Sequence, residues 1–399
     1  MINKPLLQLV YEPAYMQRWN DYMRTKGFTE LDKQAHKMVI AYILGRFEES
    51  DKNAVIDWKA LISGGLYELL HRIMLTDIKP PIFHKLMSQK GDQLNMWVLE
   101  NLANTGIYEV RGNFREEMER YFKDPDYFPL EKKILKASHY LATNWEFKII
   151  YKLNSSLYGI EETKLEIEDE ILEHMDLAGV KRLQRGRETQ HFIDIVGQLR
   201  FQLRWAQTAR IPETSVLGHM LIVAILSYLC SLELGACDKR IYNNFFAGLF
   251  HDLPEALTRD IVSPVKKSVK GLNDVIKEIE KLQVDEKILP LLPAAWHDEI
   301  SYFLDDEFKN RIMEAGAIKY VDAEEICKKY NCDAFSPVDG EVIETCDKLA
   351  AYMEAYLSIS HGVKSHGLYE GHDFLYNKFK DKKISNINFG EFFNYFKLT

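Results

Sequence analysis

The stretch GLFHDLPEALTRD, residues 248–260, decides how the fold of this sequence is interpreted. It sets His251 and Asp252 side by side at the edge of an apolar helix, where they offer one nitrogen and one oxygen ligand. Such a mixed pair suits a borderline divalent ion such as Mn, Fe, Co or Zn, with Mg also possible. Glu255 follows His251 by four residues, so on a continuous helix its carboxylate lies on the same face, one turn along. The stretch therefore predicts a metal site with a neighbouring carboxylate that is not a ligand.

Candidate ligands also stand on either side of this stretch. His219 begins an apolar helix, 220–229, and Asp347 begins another, 348–359. Asp322 also starts a predicted helix and is an alternative to Asp347 as the fourth ligand. The Leu-Ala-Ala-Tyr pattern that follows Asp347, together with an internal repeat described below, favours Asp347.

Two other His-Asp pairs in the chain have a different interpretation. His297-Asp298 precedes an acidic stretch, and His372-Asp373 lies beside Gly371 in a polar segment. Neither pair has a companion His or Asp on a flanking apolar helix. Both are predicted to be solvated surface residues.

The charge balance limits the partners of the protein. The sequence has 51 basic and 60 acidic residues and a net charge of −9, which disfavours broad nucleic-acid binding because such binding depends on neutralising phosphates. No apolar run reaches the roughly 18 residues that cross a bilayer, and residues 1–13 lack the apolar stretch of a signal peptide. We expect a cytoplasmic protein with a small-molecule substrate and neither a membrane nor a nucleic acid as partner. A homo-oligomer is compatible with the sequence.

The spacing of apolar residues predicts an all-α fold. They recur at steps of three and four, whereas the period-2 alternation of strands is nearly absent. The five cysteines show no zinc-site spacing and are expected to be free thiols in a reducing compartment. The predicted helices include residues 167–175, 190–207, 215–234, 272–282 and 347–359.

The two halves of the chain share an order of residues that predicts an internal duplication. His36 aligns with His219 at an offset of 183, and no gap is needed as far as Pro81. Upstream, an Arg-Trp pair matches if three residues are inserted in the first copy, and downstream the offset rises to 208. The matches are Arg18-Trp19 with Arg204-Trp205, Gly65-Leu66 with Gly248-Leu249, Leu70 with Leu253, Asp77-Ile78 with Asp260-Ile261, Pro81 with Pro264, His139 with Asp347, and Glu146 with Glu354.

The ordered set His … His-Asp … Asp on successive helices resembles the ligand pattern of the HD superfamily of metal-dependent phosphohydrolases. The fuller signature is similar to that of its bacterial 5′-deoxyribonucleotidase branch, over roughly residues 190–360. Gly218 departs from this branch, which commonly has an acidic residue there, and the departure bears on fine substrate positioning. In this sequence the signature consists of Arg204, Trp205, His219, His251, Asp252, Glu255, Asp260, Pro264 and Lys266.

The resemblance implies one divalent ion (Mn, Co, Fe, Zn or Mg) held by His219, His251, Asp252 and Asp347. The ion would activate water and polarise the phosphorus centre. Asp252 and Glu255 would be the catalytic side chains, with Glu255 orienting the water or moving its proton.

The resemblance also implies three substrate contacts, each with a structural alternative. Arg204 would offer paired donors to the phosphate, or it forms a surface ion pair. Trp205 would pack on the sugar or base, or it belongs to the core. Asp260 would accept a hydrogen bond from the sugar, or it caps a turn.

The implied activity is metal-dependent removal of phosphate from a nucleoside 5′-monophosphate. One alternative is an HD hydrolase of a nucleoside triphosphate or a signalling nucleotide. Alarmone hydrolases are expected to have Glu-Asp where Glu255-Ala256 stands here, and the Gly-Tyr-Pro signature of cyclic-dinucleotide phosphodiesterases is missing. Another alternative is a non-catalytic HD-fold signalling scaffold, which predicts lost ligands in both copies. The second copy has lost none.

The first copy is predicted to be degenerate. It has Glu68-Leu69 where the second copy has His251-Asp252, and Arg72 where the second copy has Glu255. Leucine cannot bind a metal, and arginine would repel one. The expected organisation is therefore a pair of tandem HD-like helical domains: a degenerate domain over 1–155, a helical connector over 156–190, and an HD phosphohydrolase domain over 191–399.

Overall fold

A computed structural model describes residues 2–76, 78–186, 188–205, 207–259 and 269–398. Regular structure in these ranges is almost entirely helical, and the strands form two short antiparallel pairs. The predicted all-α class is confirmed. All five cysteines are free thiols, as expected.

The chain divides into two compact units, Met1–Arg185 and Gly186–Thr399. Most of the segment predicted as a connector, 156–190, thus falls in the first unit. Its Arg182 forms a two-pronged ion pair with Asp51 at 2.7 and 2.8 Å, and Leu183 is buried. These residues pack on the first unit because their apolar positions face its core.

The first unit is built around one long central helix, α2, which packs against α6 and α8. A short ribbon of β1 and β2 leads into α2, with Gln17 opposite Thr29. Its elements are α1 Lys4–Tyr15, β1 Gln17–Arg18, β2 Phe28–Thr29, α2 Glu30–Lys52, α3 Trp58–Leu75, α4 Pro80–Leu102, α5 Phe114–Lys123, α6 Pro129–Asn154, α7 Ile160–Leu172 and α8 Ala178–Gln184, with 3₁₀ turns at Ala103–Thr105 and Ile107–Glu109.

The second unit has α10 at its centre, packed against α11 and α16. Its elements are α9 Glu188–Gln198, α10 Val216–Glu233, α11 Asp238–Phe250, α12 Glu255–Thr258, α13 Leu272–Gln283, α14 His297–Leu304, β3 Arg311–Glu314, β4 Ala317–Tyr320, α15 Ala323–Glu325, α16 Gly340–Ser360, α17 His366–Phe379 and α18 Phe389–Tyr395. Short 3₁₀ and π turns occupy Leu199–Phe201, Val284–Ile288, Leu289–Leu291, Ala294–Trp296, Ile326–Tyr330 and Asp333–Phe335.

Helix α10 is long and apolar enough to cross a membrane, with a mean hydropathy of 1.8 over 18 residues. Of these residues, 94% are buried inside the protein. Because protein already covers its apolar surface, α10 has the character of a core helix.

Three helix predictions were wrong in their bounds. The helix predicted over 167–175 is part of α7, which begins at Ile160 and ends at Leu172. The helix predicted over 190–207 ends at Gln198, and Trp205 has a left-handed backbone with φ 55° that no helix accommodates. Asp347 does not begin a helix but lies within α16, which starts seven residues earlier at Gly340. The apolar stripe continues upstream through buried Val342 and Ile343, and this extends the helix.

The segment that leads into the central helix has the same backbone pattern in both units. Four features recur at a constant offset of 186 positions: an antiparallel bridge, a tryptophan with a left-handed backbone conformation, a backbone hydrogen bond and a side-chain N-cap. The pairs are Gln17↔Thr29 and Leu203↔Ser215 for the bridge, Trp19 (φ 56°) and Trp205 (φ 55°), Glu30 N–H to Met16 O and Val216 N–H to Gln202 O (both 2.9 Å), and the N-caps Thr29 and Ser215.

This offset corrects the predicted alignment of His36 with His219. Counted from the N-cap, the fourth helical residue is His219 in α10 and Lys33 in α2, whereas His36 is the seventh. The ring of His36 instead lies edge-on to Trp145, with 5.3 Å between ring centroids. His36 therefore has a packing role and does not correspond to the ligand position.

The three-residue shift between the two predicted offsets, 186 and 183, falls after the start of the central helix. Gly65 approaches Met38 in the first unit, and Gly248 approaches Ala224 in the second. Met38 and Ala224 are 186 positions apart, but the two glycines are 183 apart. Helix α2 is five residues longer than α10, with 23 residues against 18, and the path from the helix end to the glycine is two residues shorter, 13 against 15, so the net difference is three.

Candidate active site

Helix α10 delivers His219 to the centre of the second unit. The Ser215 hydroxyl caps the helix by accepting from the Gly218 N–H at 2.9 Å, which satisfies one of the unpaired N–H groups at the helix start. His219 is completely buried. Its Nδ1 lies 3.6 Å from Oε1 of Glu354, and its Nε2 lies 2.9 Å from Oδ1 of Asp347. A carboxylate only accepts, so without an ion Nε2 donates to Asp347. A metal bound at Nε2 would take that lone pair, and the proton would then lie on Nδ1, beside Glu354.

Helix α11 ends just before the second histidine. Gly248 allows α11 to approach α10 closely, since a Cβ there would lie 3.1 Å from the Cα of Ala224. His251 Nδ1 lies 2.8 Å from the carbonyl oxygen of Gly248. A carbonyl only accepts, so Nδ1 donates and the neutral ring keeps its lone pair on Nε2. The close helix contact brings the His219 and His251 rings to 5.5 Å between centroids.

Donor atoms of His219, His251 and Asp347 all lie within 4.8 Å of one another, and all three residues are buried. Asp252 completes the set, because its Oδ2 lies 3.2 Å from His251 Nε2 and 3.9 Å from His219 Nε2. Bonds of about 2 Å from nitrogen and oxygen ligands allow one ion to bind such a set. Two imidazoles and two carboxylates are a donor set that fits a divalent metal.

Three carboxylates hold the Arg204 guanidinium over this cluster. Its NH1 donates to Asp252 Oδ2 at 3.1 Å, its NH2 lies 3.9 Å from Asp347 Oδ1, and its Nε lies 3.5 Å from Glu354 Oε2. The side chain is 13% exposed. Arg204 is therefore a fixed, largely buried cation at the edge of the ligand set.

The carboxylates of the site are held ionised. Burial raises the pKa of Asp252, but His251, Arg204 and His219 more than offset this and hold it well below its usual range. Burial likewise raises the pKa of Asp347, and Lys348, His219 and His251 more than offset the effect. Both groups are therefore anionic at neutral pH, as metal ligands must be.

The helix breaks between His251 and Glu255. Leu253 N–H bonds to the carbonyl of Phe250, and Glu255 N–H to that of Asp252, so each bond spans three residues and not four. This tighter winding has about 3.0 residues per turn. Glu255 is buried and begins α12. The prediction that it lies one α-helical turn from His251 on a continuous helix was therefore wrong.

Comparison with known proteins identifies the fold around this site. Residues 196–375 match a protein-family model described as "HD domain". The second unit contains an HD domain. The four candidate ligands, His219, His251, Asp252 and Asp347, all lie within the matched residues.

Curated relatives of the HD domain are named 5′-deoxynucleotidases. The one from Vibrio atlanticus is 26% identical over 145 residues, which cover 36% of this chain and 73% of the relative. The one from Photobacterium profundum is 25% identical over 130 residues, covering 31% and 65%. The one from Pasteurella multocida is 22% identical over 183 residues, covering 43% and 76%.

Glu354 is a site residue of the HD domain to which the sequence assigned no role beyond its match with Glu146. It is fully buried in α16 and accepts from Trp205 Nε1 at 3.0 Å and from Thr214 Oγ1 at 2.7 Å. Burial raises its pKa, but Arg210, Arg204 and His219 more than offset this and lower it. The signal was available, because the repeat aligned Glu354 with Glu146 at the offset of Asp347.

Trp205 is positioned by this carboxylate and by a glycine. Its indole N–H donates to Glu354, and the six-membered ring touches α17 at Gly371, where a Cβ would lie 2.7 Å from the ring. The side chain is therefore half-buried and held in place, with the N–H already used inside the protein.

Lys348 is a further residue that the sequence missed. Its Nζ lies 2.6 Å from Asp347 Oδ2 and 5.6 Å from the centre of the Phe308 ring. The Asp347 carboxylate raises the pKa of Lys348, and burial opposes this only in part. With Arg204, this ammonium gives the HD domain a second cation beside the ligand set.

The other predicted residues have different outcomes. Asp322 caps α15 in a capping box with Glu325 and is not part of the ligand cluster. His372 was wrongly predicted to be solvated in a loop: it is buried in α17 and stacks on Tyr352 at 4.3 Å, because that helix packs on α16. His297 is partly buried, with its Nε2 3.0 Å from the carbonyl oxygen of Leu292. Five members of the signature or of the repeat lie outside the described residues: Asp77, Asp260, Ile261, Pro264 and Lys266.

Proposed function

We propose that the second unit is a divalent-metal-dependent phosphohydrolase that removes phosphate from a nucleoside 5′-monophosphate. The observation that carries the proposal is the convergence of His219, His251 and Asp347 donor atoms within 4.8 Å. Asp252 lies beside them and Arg204 lies at their edge. A metal-ligand set beside a fixed cation suits the hydrolysis of a phosphate ester, because both can neutralise charge on the phosphate oxygens.

The comparisons support a nucleotide phosphohydrolase at the level of the family. The matched relatives are named 5′-deoxynucleotidases and are covered for 73%, 65% and 76% of their length. The preference for a deoxyribonucleoside monophosphate is the finer part of the proposal.

The bound ion would supply Lewis-acid chemistry, polarising the phosphate and lowering the pKa of water. His219, His251, Asp252 and Asp347 would hold it. The chain's own contribution is to hold the ligands before substrate arrives: Gly248 O accepts from His251 Nδ1, and Glu354 lies 3.6 Å from His219 Nδ1. Buried ligands that are already held close together need little reorganisation.

Arg204 and Lys348 would bind the phosphate oxygens. Arg204 is held by Asp252 and Glu354, so its guanidinium plane is set in advance, and a fork of donors suits two phosphate oxygens. Trp205 would pack on the sugar or the base, because its polar N–H is already satisfied by Glu354. Asp260 stays a proposed sugar contact.

Glu255 would act as general base. It is buried and stands in the tight turn that follows Asp252. A carboxylate in reach of water near the phosphate can take the proton as the ester bond breaks, and this contributes about 10²–10⁴-fold to the rate. Asp252 would hold both the ion and Arg204 in place.

One panel tests the proposal. The full-length protein is assayed for phosphate release from the 5′-mono- and triphosphates of ribo- and deoxyribonucleosides, with Mn, Co, Fe, Zn or Mg and with a chelator control. Release from monophosphates only with metal is the expected result. Arg204→Lys should raise KM by about tenfold, because a fork is replaced by a point charge. Selective release from triphosphates would favour the alternative of an HD hydrolase of nucleoside triphosphates. No release with any ion would favour the alternative of a non-catalytic HD-fold signalling scaffold.

We also propose that the first unit is a degenerate copy of the second. The shared backbone entry into α2 and α10 supports this, as does a shared side-chain contact: Trp19 Nε1 donates to Glu146 at 2.8 Å just as Trp205 donates to Glu354. Superposition of the two units in an experimental structure tests it. Matched helices with a metal only in the second unit are expected, and unrelated connectivity would refute the duplication.

A further inference from the structure

A lysine occupies the first unit's counterpart of the His219 position. Lys33 is the fourth residue of α2, is fully buried, and contacts the His139 ring through Nζ. His139 is the residue that aligns with Asp347. The contact between His219 and Asp347 in the second unit is thus replaced by a contact between Lys33 and His139.

Further cations surround Lys33. Lys37, one turn along α2, is fully buried and pairs with Glu68. Arg18 donates to Glu146 at 2.8 Å and to Glu30 at 2.9 Å.

Arg72 completes the cluster, with its Nε 3.8 Å from Glu30 Oε2. Among the described residues, four cationic side chains and three carboxylates therefore meet around the His139 ring. We call this set the cationic cluster: Arg18, Lys33, Lys37, Arg72, His139, Glu30, Glu68 and Glu146.

Burial and the neighbouring cations act on the two buried basic groups, Lys33 and His139. Burial lowers the pKa of Lys33 well below its usual value, and Arg18 and Lys37 add to this against Glu30 and Glu146. Burial also lowers the pKa of His139, and Lys33, Lys37, Arg18 and Arg72 all act in the same direction. Because a nearby opposite charge favours the charged form of a group, an anion placed beside Lys33 and His139 would stabilise their protonated forms.

Solvent reaches the cluster through part of its rim. The side chains of Arg18, Arg72 and Glu68 are 14%, 23% and 29% exposed, while those of Lys33 and Lys37 are not exposed at all. An anion arriving from solvent would thus meet the two arginines first and lie over the two ammonium groups.

We propose that the cationic cluster of the first unit is a metal-independent binding site for a phosphate-type anion, either free phosphate or the phosphate group of a nucleotide. The second unit has the anionic groups Asp252, Asp347 and Glu255, and so would attract a metal first. The first unit has Leu69, His139 and Arg72 at these positions, so it repels a metal and offers positive charge directly. Arginine forks and lysine point charges are the groups that proteins use for phosphate.

The proposal does not depend on catalysis in the second unit, so that site is disabled in the test. Full-length protein with Asp347→Asn and Arg204→Met is titrated calorimetrically, in the presence of a chelator, with inorganic phosphate and separately with dAMP. Saturable binding of one anion per chain without metal is expected. Tighter binding of dAMP would identify a nucleotide as the occupant, and equal binding would identify free phosphate.

Three variants in that background locate the site. Arg72→Met and Lys33→Met should each weaken binding by at least about tenfold, since each removes a charged contact worth upward of about 1.4 kcal/mol. Arg120→Met is the matched control, because Arg120 lies in the same unit but is 61% exposed and pairs only with Asp124 among the ion pairs of the described residues. It should bind as before.

Removing one partner of a buried ion pair is destabilising when it leaves the other charge uncompensated. Lys33→Met is expected to fold, because Glu30, 3.9 Å from Lys33, keeps Arg18 at 2.9 Å. Absence of binding in the disabled chain would overturn the proposal. So would binding that requires a divalent ion, or binding unchanged by both Arg72→Met and Lys33→Met.

Discussion

The Nε2 atom of His219 lies 2.9 Å from Oδ1 of Asp347, although 128 positions separate the two residues in the chain. Both are buried, on helices α10 and α16 that pack together. Since imidazole and carboxylate are both metal-ligand types, this pair defines the centre of the candidate site. Asp322, the other candidate, caps a short helix instead.

Asp347→Asn should therefore abolish metal binding. An amide keeps the shape of the side chain but loses the charge that balances the ion, and we expect bound metal to fall at least about tenfold and phosphate release to fall about 100-fold or more. Elemental analysis of the purified protein measures the first, and phosphate release the second. Asp322→Asn is the control and should change neither. Loss of metal in the Asp322 variant with retention in the Asp347 variant would reverse the assignment.

Glu354→Gln should weaken metal binding without removing a ligand. The carboxylate lies 3.6 Å from His219 Nδ1 and supports Arg204 and Trp205, and loss of such a partner costs about 10–100-fold in metal affinity. The first unit offers a matched control, since Glu146 makes the same contacts with Arg18 and Trp19. Glu146→Gln should lower stability similarly but leave metal affinity unchanged. Equal metal affinities in the two variants would show that Glu354 is only structural.

Glu255→Gln should separate turnover from metal binding. If Glu255 moves the proton, kcat falls about 10²–10⁴-fold while metal content and KM stay near those of the parent protein. Steady-state kinetics and elemental analysis on one preparation give both quantities. Glu278→Gln, on the exposed face of α13, should behave like the parent. A Glu255 variant that loses its metal would instead be lacking a ligand or a structural carboxylate.

Acid should loosen the first unit through Glu30. Burial raises the pKa of this carboxyl, but Arg18, Lys33 and Arg72 more than offset this and lower it from 4.5 to about 2. A depressed carboxyl pKa stabilises the fold above the unfolded value of about 4.3, and this stability, roughly 3 kcal/mol, is lost as pH falls from there towards the folded value.

Hydrogen exchange of amides in α2, followed from pH 6 to pH 3, measures this effect. Protection should fall steeply in the parent and less steeply in Glu30→Gln. Glu119→Gln, which changes a carboxylate at the surface, should follow the parent. A Glu30 variant with an unchanged pH dependence would show that other groups cause the acid sensitivity.

Some features were determined by the sequence alone. Apolar residues at three- and four-residue steps are enough to specify helices, because that period matches the α-helical turn. His219, His251, Asp252 and Asp347 could be selected as ligands because their chemical types stand in one order on apolar helices. Neither inference needs a three-dimensional contact.

Only the tertiary structure decided which residues meet. His36 looked like the counterpart of His219, but the start of a helix is set by its N-cap and the strand pairing before it, and these place Lys33 there. Glu354 gained its role from contacts with Trp205 and Thr214 that are 149 and 140 positions away. Periodicity describes the neighbours of a residue along one helix, whereas charge, burial and ligand geometry arise between helices. That is why the sequence could indicate a metal site in the second unit but could not show that buried Lys33 stands fourth in α2, where His219 stands fourth in α10.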